Sequence, residues 1–122
     1  MTSVKIATVT LLFAASFVML VSATTNPPPP GRICILKYDD KNGNGKQDPG
    51  EVGLPGWTFT VMPGGQTVTT DQAGRACFPK PPGAYTITEH PKNGWTAVGP
   101  TTQSVKVVIN HTSVVTFGNR RK

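Results

Sequence analysis

Residues 40–51 read Asp-Lys-Asn-Gly-Asn-Gly-Lys-Gln-Asp-Pro-Gly-Glu and have the spacing of a calcium-binding loop. Side chains with oxygen atoms occupy positions 1, 3, 5, 9 and 12 of the run, and glycine occupies position 6, where the chain must turn sharply. The residue at position 7 supplies only its backbone carbonyl. The sequence therefore predicts a Ca²⁺ site with these ligands: Asp40, Asn42, Asn44, Lys46 through its carbonyl, Asp48 and Glu51.

The distribution of charge agrees with a bound cation. The chain has a net charge of +6 and 6 acidic residues, and four of these lie between Asp39 and Glu51. Carboxylates crowded in this way repel one another unless a cation neutralises them. The alternative is a polar turn between strands, because Asn, Asp and Gly are also common turn residues.

The segments beside this loop are strand-like. Residues 33–38 (Ile-Cys-Ile-Leu-Lys-Tyr) are rich in β-forming residues and too short for a helix. After the loop, Gly53, Pro55 and Gly56 disfavour a helix, and residues 57–61 again indicate a strand. An EF-hand sensor is disfavoured, since it needs a pair of helices to open. We therefore predict an EF-hand-like loop between β-strands.

The rest of the chain alternates short strand-like segments with turns rich in Gly, Pro, Asn and Asp, and no segment has a sustained helical period. This pattern predicts an all-β fold, an antiparallel sandwich of about seven strands. The candidate segments lie near residues 32–38, 57–62, 66–70, 75–78, 84–89, 95–98, 103–109 and 113–117. The predicted core residues are Trp57, Phe59, Val61, Phe78, Tyr85, Ile87, Trp95, Val107 and Phe117.

The first residues have the pattern of an export signal. A positively charged start with Lys5 precedes an apolar run, and Val21-Ser22-Ala23 provides small residues for cleavage, so residues 1–23 are a predicted signal peptide. An uncleaved anchor is the alternative. Residues 24–31 form a proline-rich linker, in which polyproline geometry acts as a spacer. A single domain at residues 32–119 and a basic tail at residues 120–122 follow.

Two cysteines, Cys34 and Cys77, lie in predicted strands of the exported part. An oxidising compartment favours a disulfide between them. Two separate buried thiols are the alternative. A metal site at these cysteines is disfavoured, because neither has a Cys or His nearby in the sequence.

The basic tail, Arg120 to Lys122, would suit an anionic polymer, membrane headgroups or nucleic acid, but it is also compatible with a solvated, frayed terminus. No nucleic-acid-binding motif accompanies the charge, so no nucleic acid partner is expected. Membrane contact is expected only through the signal segment during export.

Motifs along most of the exported part resemble the B-type repeats of serine-aspartate repeat adhesins, the SdrD B-like domains. The resemblance is carried by residues 40–56, by Thr69-Thr70-Asp71-Gln72-Ala73-Gly74, by residues 82–89, by Gly94-Trp95 and by Phe117-Gly118-Asn119. It implies a prealbumin-like, Ig-related sandwich that binds calcium and serves as a stalk or spacer in surface proteins. The cysteine pair is not part of the family pattern.

A related family, the collagen-adhesin B-type (Cna-B) domains, crosslinks a strand lysine to a C-terminal asparagine beside a glutamate. Lys37, Asn119 and Glu89 fall at matching places, so the resemblance implies an isopeptide bond there. The alternative is a partly exposed lysine, a terminal asparagine and a surface glutamate.

These observations favour a secreted or cell-surface, calcium-stabilised structural or adhesive module that is not an enzyme. The alternative is a small secreted binding protein that recognises a polymer, glycan or receptor through its loops or basic tail. A hydrolase or protease inhibitor is a weaker hypothesis, because His90 and His111 lie in no recognisable nucleophile or metal motif.

Overall fold

A computed structural model describes residues 26–122, and the predicted signal peptide at residues 1–23 lies outside this range. Residues 26–30 of the predicted linker have no regular secondary structure and are exposed before the first strand begins at Gly31. Within residues 26–122, no helix is long and apolar enough to cross a membrane.

Eight strands make up the described part of the chain, as the alternation of strand-like segments and Gly/Pro turns predicts. Their bounds are β1 (Gly31–Asp39), β2 (Thr58–Met62), β3 (Gln66–Thr69), β4 (Arg75–Lys80), β5 (Gly83–Glu89), β6 (Trp95–Val98), β7 (Thr102–Val107) and β8 (Thr112–Arg121). Each of the eight strands overlaps one of the eight candidate segments, and the total is one more than the approximate seven expected for the sandwich.

The strands form two four-stranded sheets, with orders β4-β1-β8-β6 and β3-β2-β5-β7. The all-β prediction is confirmed, but the prediction of a wholly antiparallel sandwich is wrong at one pair. The first strand, β1, runs parallel to the last strand, β8, over eight register pairs from Arg32↔Thr112 to Asp39↔Asn119. A parallel pair needs a long crossover connection, and here the whole intervening chain provides it.

The core fills the space between the inner faces of the two sheets. Alternate residues of each strand point inwards, for example Ile33 and Ile35 of β1 and Val115 and Phe117 of β8. Of the predicted core residues, Tyr85 and Trp95 are only partly buried and pack against the rest. The buried core consists of Ile33, Ile35, Leu54, Trp57, Phe59, Val61, Ala76, Phe78, Ile87, Val107, Val115 and Phe117.

Two glycines allow the loop after β1 and the turn between β3 and β4 to approach each other and β1 closely. Gly74 has φ +80°, and a Cβ there would collide with the Lys37 carbonyl and with the backbone of Leu54. A Cβ at Gly53 would collide with the carbonyl of Ala73. The backbone at Lys37 is thereby fixed on both sides, because its N–H donates to the Gly74 carbonyl (2.8 Å) and its carbonyl accepts from the Leu54 N–H (2.9 Å).

The predicted disulfide is confirmed. Cys34 of β1 and Cys77 of β4 are direct register partners and are bonded to each other. Since Ile33 and Ile35 face the core, Cys34 lies on the opposite face of the sheet. The bridge closes a segment of 43 residues that contains the loop, β2 and β3.

The predicted basic tail at residues 120–122 is largely part of β8. Arg120 and Arg121 pair with Thr96 and Trp95 of β6, and the Lys122 N–H donates to the Gly94 carbonyl (3.0 Å). The domain therefore extends beyond the predicted boundary at residue 119. A frayed terminus is disfavoured, because backbone groups that pair in a sheet are held in place.

Removing the disulfide is expected to lower stability. In the chain-entropy model, a bridge across 43 residues contributes about 4 kcal/mol, mainly by restricting the unfolded chain. The double variant Cys34→Ala/Cys77→Ala should therefore unfold at a clearly lower temperature than the wild type in a calorimetric scan. Equal melting temperatures for the two proteins under non-reducing conditions would contradict a stabilising role for the bridge.

Candidate functional site

A lysine lies inside the core. Lys37 occupies the inner face of β1, two positions after Ile35, and only 1% of its surface is exposed. Among the described residues, Lys37 has the largest side chain that is fully buried. A buried ammonium is very costly unless it is paired and hydrogen-bonded or loses its proton. The surroundings of Lys37 therefore determine what this residue does.

Two polar side chains meet the Lys37 Nζ. It donates a hydrogen bond to Glu89 Oε1 at 3.0 Å, which is also an ion pair, and another to Asn119 Oδ1. The side chains of both partners are buried. The Nζ also lies 4.1 Å from the centroid of the Trp57 ring, a cation–π geometry that favours the charged form. The structure thus brings together the three residues that the family resemblance singled out.

Each of these polar residues continues an apolar stripe on the inner face of its strand. On β5 Glu89 follows Ile87, and on β8 Asn119 follows Phe117. Lys37 and Asn119 come from neighbouring strands of one sheet, while Glu89 comes from the facing sheet. Backbone bonds fix both partners: the Glu89 N–H donates to the Thr101 carbonyl (2.8 Å), and the Asn119 carbonyl accepts from the Asp40 N–H (2.7 Å).

Burial makes the lysine easier to deprotonate. Desolvation lowers the pKa of Lys37 from 10.5 to about 8, although the charge and hydrogen bond of Glu89 act in the opposite direction. At neutral pH, roughly one molecule in ten then carries a neutral amine at this position. A neutral amine is a nucleophile, a carboxamide carbon is an electrophile, and a carboxylate can carry a proton between them.

A narrow cleft leads from the surface to this cluster. It measures about 180 Å³, and its lining includes Glu89, Asn119, Lys92 and Trp95. The cleft provides a route for a small molecule between the cluster and solvent. A larger open groove of about 680 Å³ lies elsewhere, along Met62, Tyr85 and neighbouring residues, and contains none of the three clustered side chains.

The loop between β1 and β2 wraps around the Asp40 side chain. Asp40 is fully buried, and its carboxylate accepts from the Asn44 N–H at 3.2 Å and the Gly45 N–H at 2.7 Å. The positive φ of +82° at Gly45 makes this sharp turn possible. The first residue of the predicted calcium loop therefore organises the loop backbone.

Four of the other predicted ligand side chains are hydrogen-bonded within the loop. Asp48 accepts from the side-chain amides of Asn42 (2.9 Å) and Asn44 (2.7 Å), and Glu51 accepts from the Asp48 N–H (2.8 Å). Lys46 is exposed, and its N–H donates to Asn44 Oδ1 at 3.0 Å. Burial, reinforced by the charges of Asp40, Glu51 and Asp48, raises the pKa of the neighbouring Tyr38.

The donor set suits a hard cation, because it consists of carboxylate, amide and carbonyl oxygens. Within residues 26–122, however, no three His, Cys, Asp or Glu side chains are grouped closely enough to hold a metal ion. A calcium site in this loop would therefore depend on the amide oxygens of Asn42 and Asn44 and on a backbone carbonyl. The residues fit calcium by chemistry and order, and the binding of calcium stays a prediction.

Sequence reasoning missed the aromatic face next to the lysine. Trp57 is a predicted core residue, but its contact with the Lys37 Nζ follows only from the packing of the two sheets. The two histidines lie outside the cluster of Lys37, Glu89 and Asn119. The His90 ring hydrogen-bonds to the hydroxyls of Thr58 and Thr60, and His111 Nδ1 lies 2.8 Å from the carbonyl oxygen of Ile109.

Comparisons with known proteins identify the fold. No family model matches the chain, and no curated protein matches it. Among solved structures, the chain is similar to the TIE protein of Bacillus anthracis, with 24% identity, a TM-score of 0.61, and coverage of 76% of this chain and 17% of that one. It is also similar to GBS52, the minor pilin of Streptococcus agalactiae, with 17% identity, a TM-score of 0.62, and coverage of 79% and 46%.

A third similar structure is the shaft pilin SpaA of Lactobacillus rhamnosus GG, with 15% identity, a TM-score of 0.59, and coverage of 76% of this chain and 52% of that one. This chain thus spans about half or less of each of these proteins. At such low identity the likeness concerns the fold alone. The described residues share their two-sheet β-sandwich fold with parts of these three proteins.

The Asn119→Ala variant keeps Lys37 as a free amine, because no carboxamide remains at residue 119 for it to react with. In this variant the buried lysine should make the free energy of unfolding depend on pH. In Asn119→Ala, we expect Lys37 to stay buried with its pKa below 10.5, whereas the unfolded chain has the ordinary value. Between about pH 8 and pH 10.5 the unfolded state binds more protons, so the free energy of unfolding should rise with pH in this window.

Urea unfolding of Asn119→Ala at several pH values measures this effect. The matched control is Asn119→Ala/Lys37→Met, which lacks the titrating amine and should show a smaller rise over the same window. Parallel pH profiles for the two variants would contradict the depressed pKa of Lys37.

Proposed function

We propose that this chain is a non-enzymatic structural module of an extracellular or cell-surface protein and that a covalent bond between Lys37 and Asn119 locks its fold. The observation that carries the proposal is the burial of an amine, a carboxamide and a carboxylate in mutual contact. A core that needed only stability would place apolar residues there, because a buried ion pair is often no more stable than a hydrophobic replacement.

The chemistry balances without any cofactor. The neutral Lys37 amine attacks the side-chain carbonyl carbon of Asn119, and a new C–N bond forms. Glu89 accepts the proton that Nζ loses and passes it to the departing amide nitrogen. The original C–N bond of the carboxamide breaks and one ammonia leaves, for which the cleft beside Asn119 offers a path. The product is an amide bond between the two side chains.

Such a bond would join the first strand to the last. Because β1 and β8 run parallel, β1 begins at one end of the sandwich and β8 ends at the other. A pull between Gly31 and Arg120 would then pass along β1 to Lys37, cross the new bond to Asn119 and leave through β8. The chain between these residues would bear no load, which suits a module placed in series within a stalk.

The similar structures support this role without establishing it. Two of the proteins that share the fold are described as pilins, one a minor pilin and one a shaft pilin. A role in a cell-surface assembly accords with the predicted export signal and with the disulfide.

We further propose that Ca²⁺ binds residues 40–51 and stabilises the module. The ligands would be Asp40, Asn42, Asn44, Asp48, Glu51 and the Lys46 carbonyl. The ion would neutralise carboxylates that otherwise repel one another. The loop begins beside the crosslinking cluster, because the Asp40 N–H bonds to the Asn119 carbonyl. An ordered loop would therefore hold Asn119 in position.

The crosslink predicts a defined change in mass. The intact wild-type protein should be lighter than its sequence by one ammonia in addition to the two hydrogens of the disulfide. Glu89→Ala should keep the ammonia, even though the lost negative charge makes Lys37 easier to deprotonate, because no group remains to move the proton. Thr88→Ala, on the same strand but facing outwards, is the matched control and should form the crosslink.

A wild-type mass that corresponds to the disulfide alone, measured by electrospray mass spectrometry on folded protein, would contradict the crosslink. Loss of ammonia in Glu89→Ala at the wild-type rate would contradict the role of Glu89.

Calcium is expected to raise the melting temperature. A ligand that binds only the native state stabilises it by RT ln(1 + [L]/Kd), which is about 2.7 kcal/mol at a hundredfold excess over Kd. Glu51→Gln should reduce the effect, since it removes a charge without disturbing the Asp40 cap. Asp71→Asn, a carboxylate substitution in a different turn, should retain it.

Differential scanning calorimetry after removal of prebound ion, with chelator or millimolar calcium, measures the shift. Identical melting curves for the wild type in the two solutions would count against the site, whatever the outcome for the crosslink.

A further inference from the structure

Positive charge gathers at the end of the sandwich where β1 and β8 finish. The basic end consists of Lys41, Lys92, Arg120, Arg121 and Lys122, and all five residues are exposed. We propose that the basic end is a docking surface for a linear polymer that carries a phosphate on each repeat. This role is independent of the crosslink, because it uses none of the three clustered side chains.

Contacts between the strand ends hold these residues together. Lys41, Arg120 and Arg121 line one pocket of about 230 Å³ together with the buried Asp39. The Arg120 guanidinium lies beside Gly43, at the start of the loop. At the other side, the Lys122 N–H donates to the Gly94 carbonyl and the Trp95 N–H donates to the Lys92 carbonyl, so the turn that contains Lys92 is fixed beside the end of β8.

Aromatic rings hold two of the cations in place. The Arg121 guanidinium lies 4.4 Å from the centroid of the Trp95 ring, and the Lys92 Nζ lies 5.2 Å from the centroid of the Trp57 ring. The two rings contact each other edge to face at 5.8 Å. A side chain that is already positioned loses less entropy when it binds a ligand. Part of the basic end is therefore preorganised.

None of these five cations forms an ion pair within the described residues. The salt bridge found within residues 26–122 is the buried pair of Lys37 and Glu89. The four acidic residues of the adjacent segment are buried or bonded within the loop. Asp39 and Asp40 are buried. Glu51 accepts from the Asp48 N–H, and the half-buried Asp48 accepts from side-chain amides of the loop. Outside residues 39–51, the exposed acidic residue is Asp71, which caps its own turn. The basic end is therefore available to an external anion.

A phosphate polymer fits better than a membrane or a nucleic acid. Insertion into lipid needs several exposed apolar side chains. Four of the five large exposed apolar residues belong to the sheets and the β7–β8 turn: Met62, Val108, Ile109 and Val114. The fifth, Val52, bonds through its carbonyl to the Asp39 N–H and is a single apolar side chain near the basic end. Base stacking needs a free aromatic face, but Arg121 covers the Trp95 ring. A phosphate polymer carries repeated negative charges and has neither nucleobases nor lipid tails. It therefore suits a surface with several exposed cations, which bind a flexible polyanion by releasing its counterions.

Two variants with the same change in charge test this proposal. Lys41→Gln/Arg120→Gln/Lys122→Gln removes three charges from the basic end and leaves the contact between Arg121 and Trp95 intact. Arg32→Gln/Lys80→Gln/Lys106→Gln removes three charges from the opposite end, where β1 begins and β4 and β7 finish. Melting temperatures of both variants confirm that they are folded.

The probe is immobilised long-chain inorganic polyphosphate, with binding of the purified protein measured at several salt concentrations. We expect the wild type to bind with a clear dependence on salt. The variant of the basic end should bind about tenfold more weakly or worse, and the slope of log affinity against log salt should fall by about 2 for three lost contacts. The opposite-end variant should stay within about twofold of the wild type.

Several outcomes would overturn the proposal. Equal losses in both variants would mean that net charge, and no particular surface, drives binding. Absence of binding by the wild type at physiological salt would mean that the basic end has no such ligand. Tighter binding to phosphatidylglycerol vesicles or to single-stranded DNA than to polyphosphate would assign the surface to a membrane or to a nucleic acid instead.

Discussion

The buried amine of Lys37 is the constraint on which the rest of the structure depends. An isolated ammonium in an apolar core costs several kcal/mol, so the fold must surround it with partners or convert it to a neutral group. Both occur here. Glu89 and Asn119 meet the amine from two different strands, and desolvation lowers its pKa to about 8. The parallel pairing of β1 and β8 brings the lysine and the asparagine into contact, and the facing sheet supplies the carboxylate.

The strands were predictable because local signals define them. Gly and Pro turns separate short runs of β-forming residues, and the prediction of eight such segments agrees with the eight strands observed. The parallel pairing of β1 with β8 was not predictable, because the partner of a strand depends on contacts between residues far apart in the chain. Residues 120–122 were misassigned for the same reason: Arg120 and Arg121 belong to β8 because β6 offers an edge for them to pair with.

Part of the candidate site could be predicted from the sequence. Lys37, Glu89 and Asn119 each stand two residues after an inward-facing apolar residue, namely Ile35, Ile87 and Phe117. This alternation predicts that all three face the core, but a single strand-borne lysine is ordinarily able to extend its amine to solvent. Their meeting, and the approach of Trp57 to the amine, depend on how the two sheets pack. The family resemblance, and no pattern of spacing, suggested the trio.

The remaining charges are divided between two neighbouring regions. The Asp40 carboxylate turns inwards and organises the loop backbone, while the cations of the basic end are exposed and Arg121 lies on the Trp95 ring. The backbone bond from Asp40 to Asn119 connects the loop to the buried cluster. One end of the sandwich thus contains the proposed crosslink, the proposed calcium loop and the proposed polymer surface, each resting on different side chains and each open to a separate test.

Peptide mapping tests the central claim most directly. After reduction, alkylation and digestion with trypsin, a bond between Lys37 and Asn119 would protect Lys37 from cleavage. It would produce one branched peptide that joins residues 33–41 to residues 107–120 and is lighter by one ammonia than the two peptides together. We predict that tandem mass spectrometry identifies this branched species. Separate recovery of residues 33–37 and of residues 107–120 with an intact Asn119 carboxamide would contradict the account.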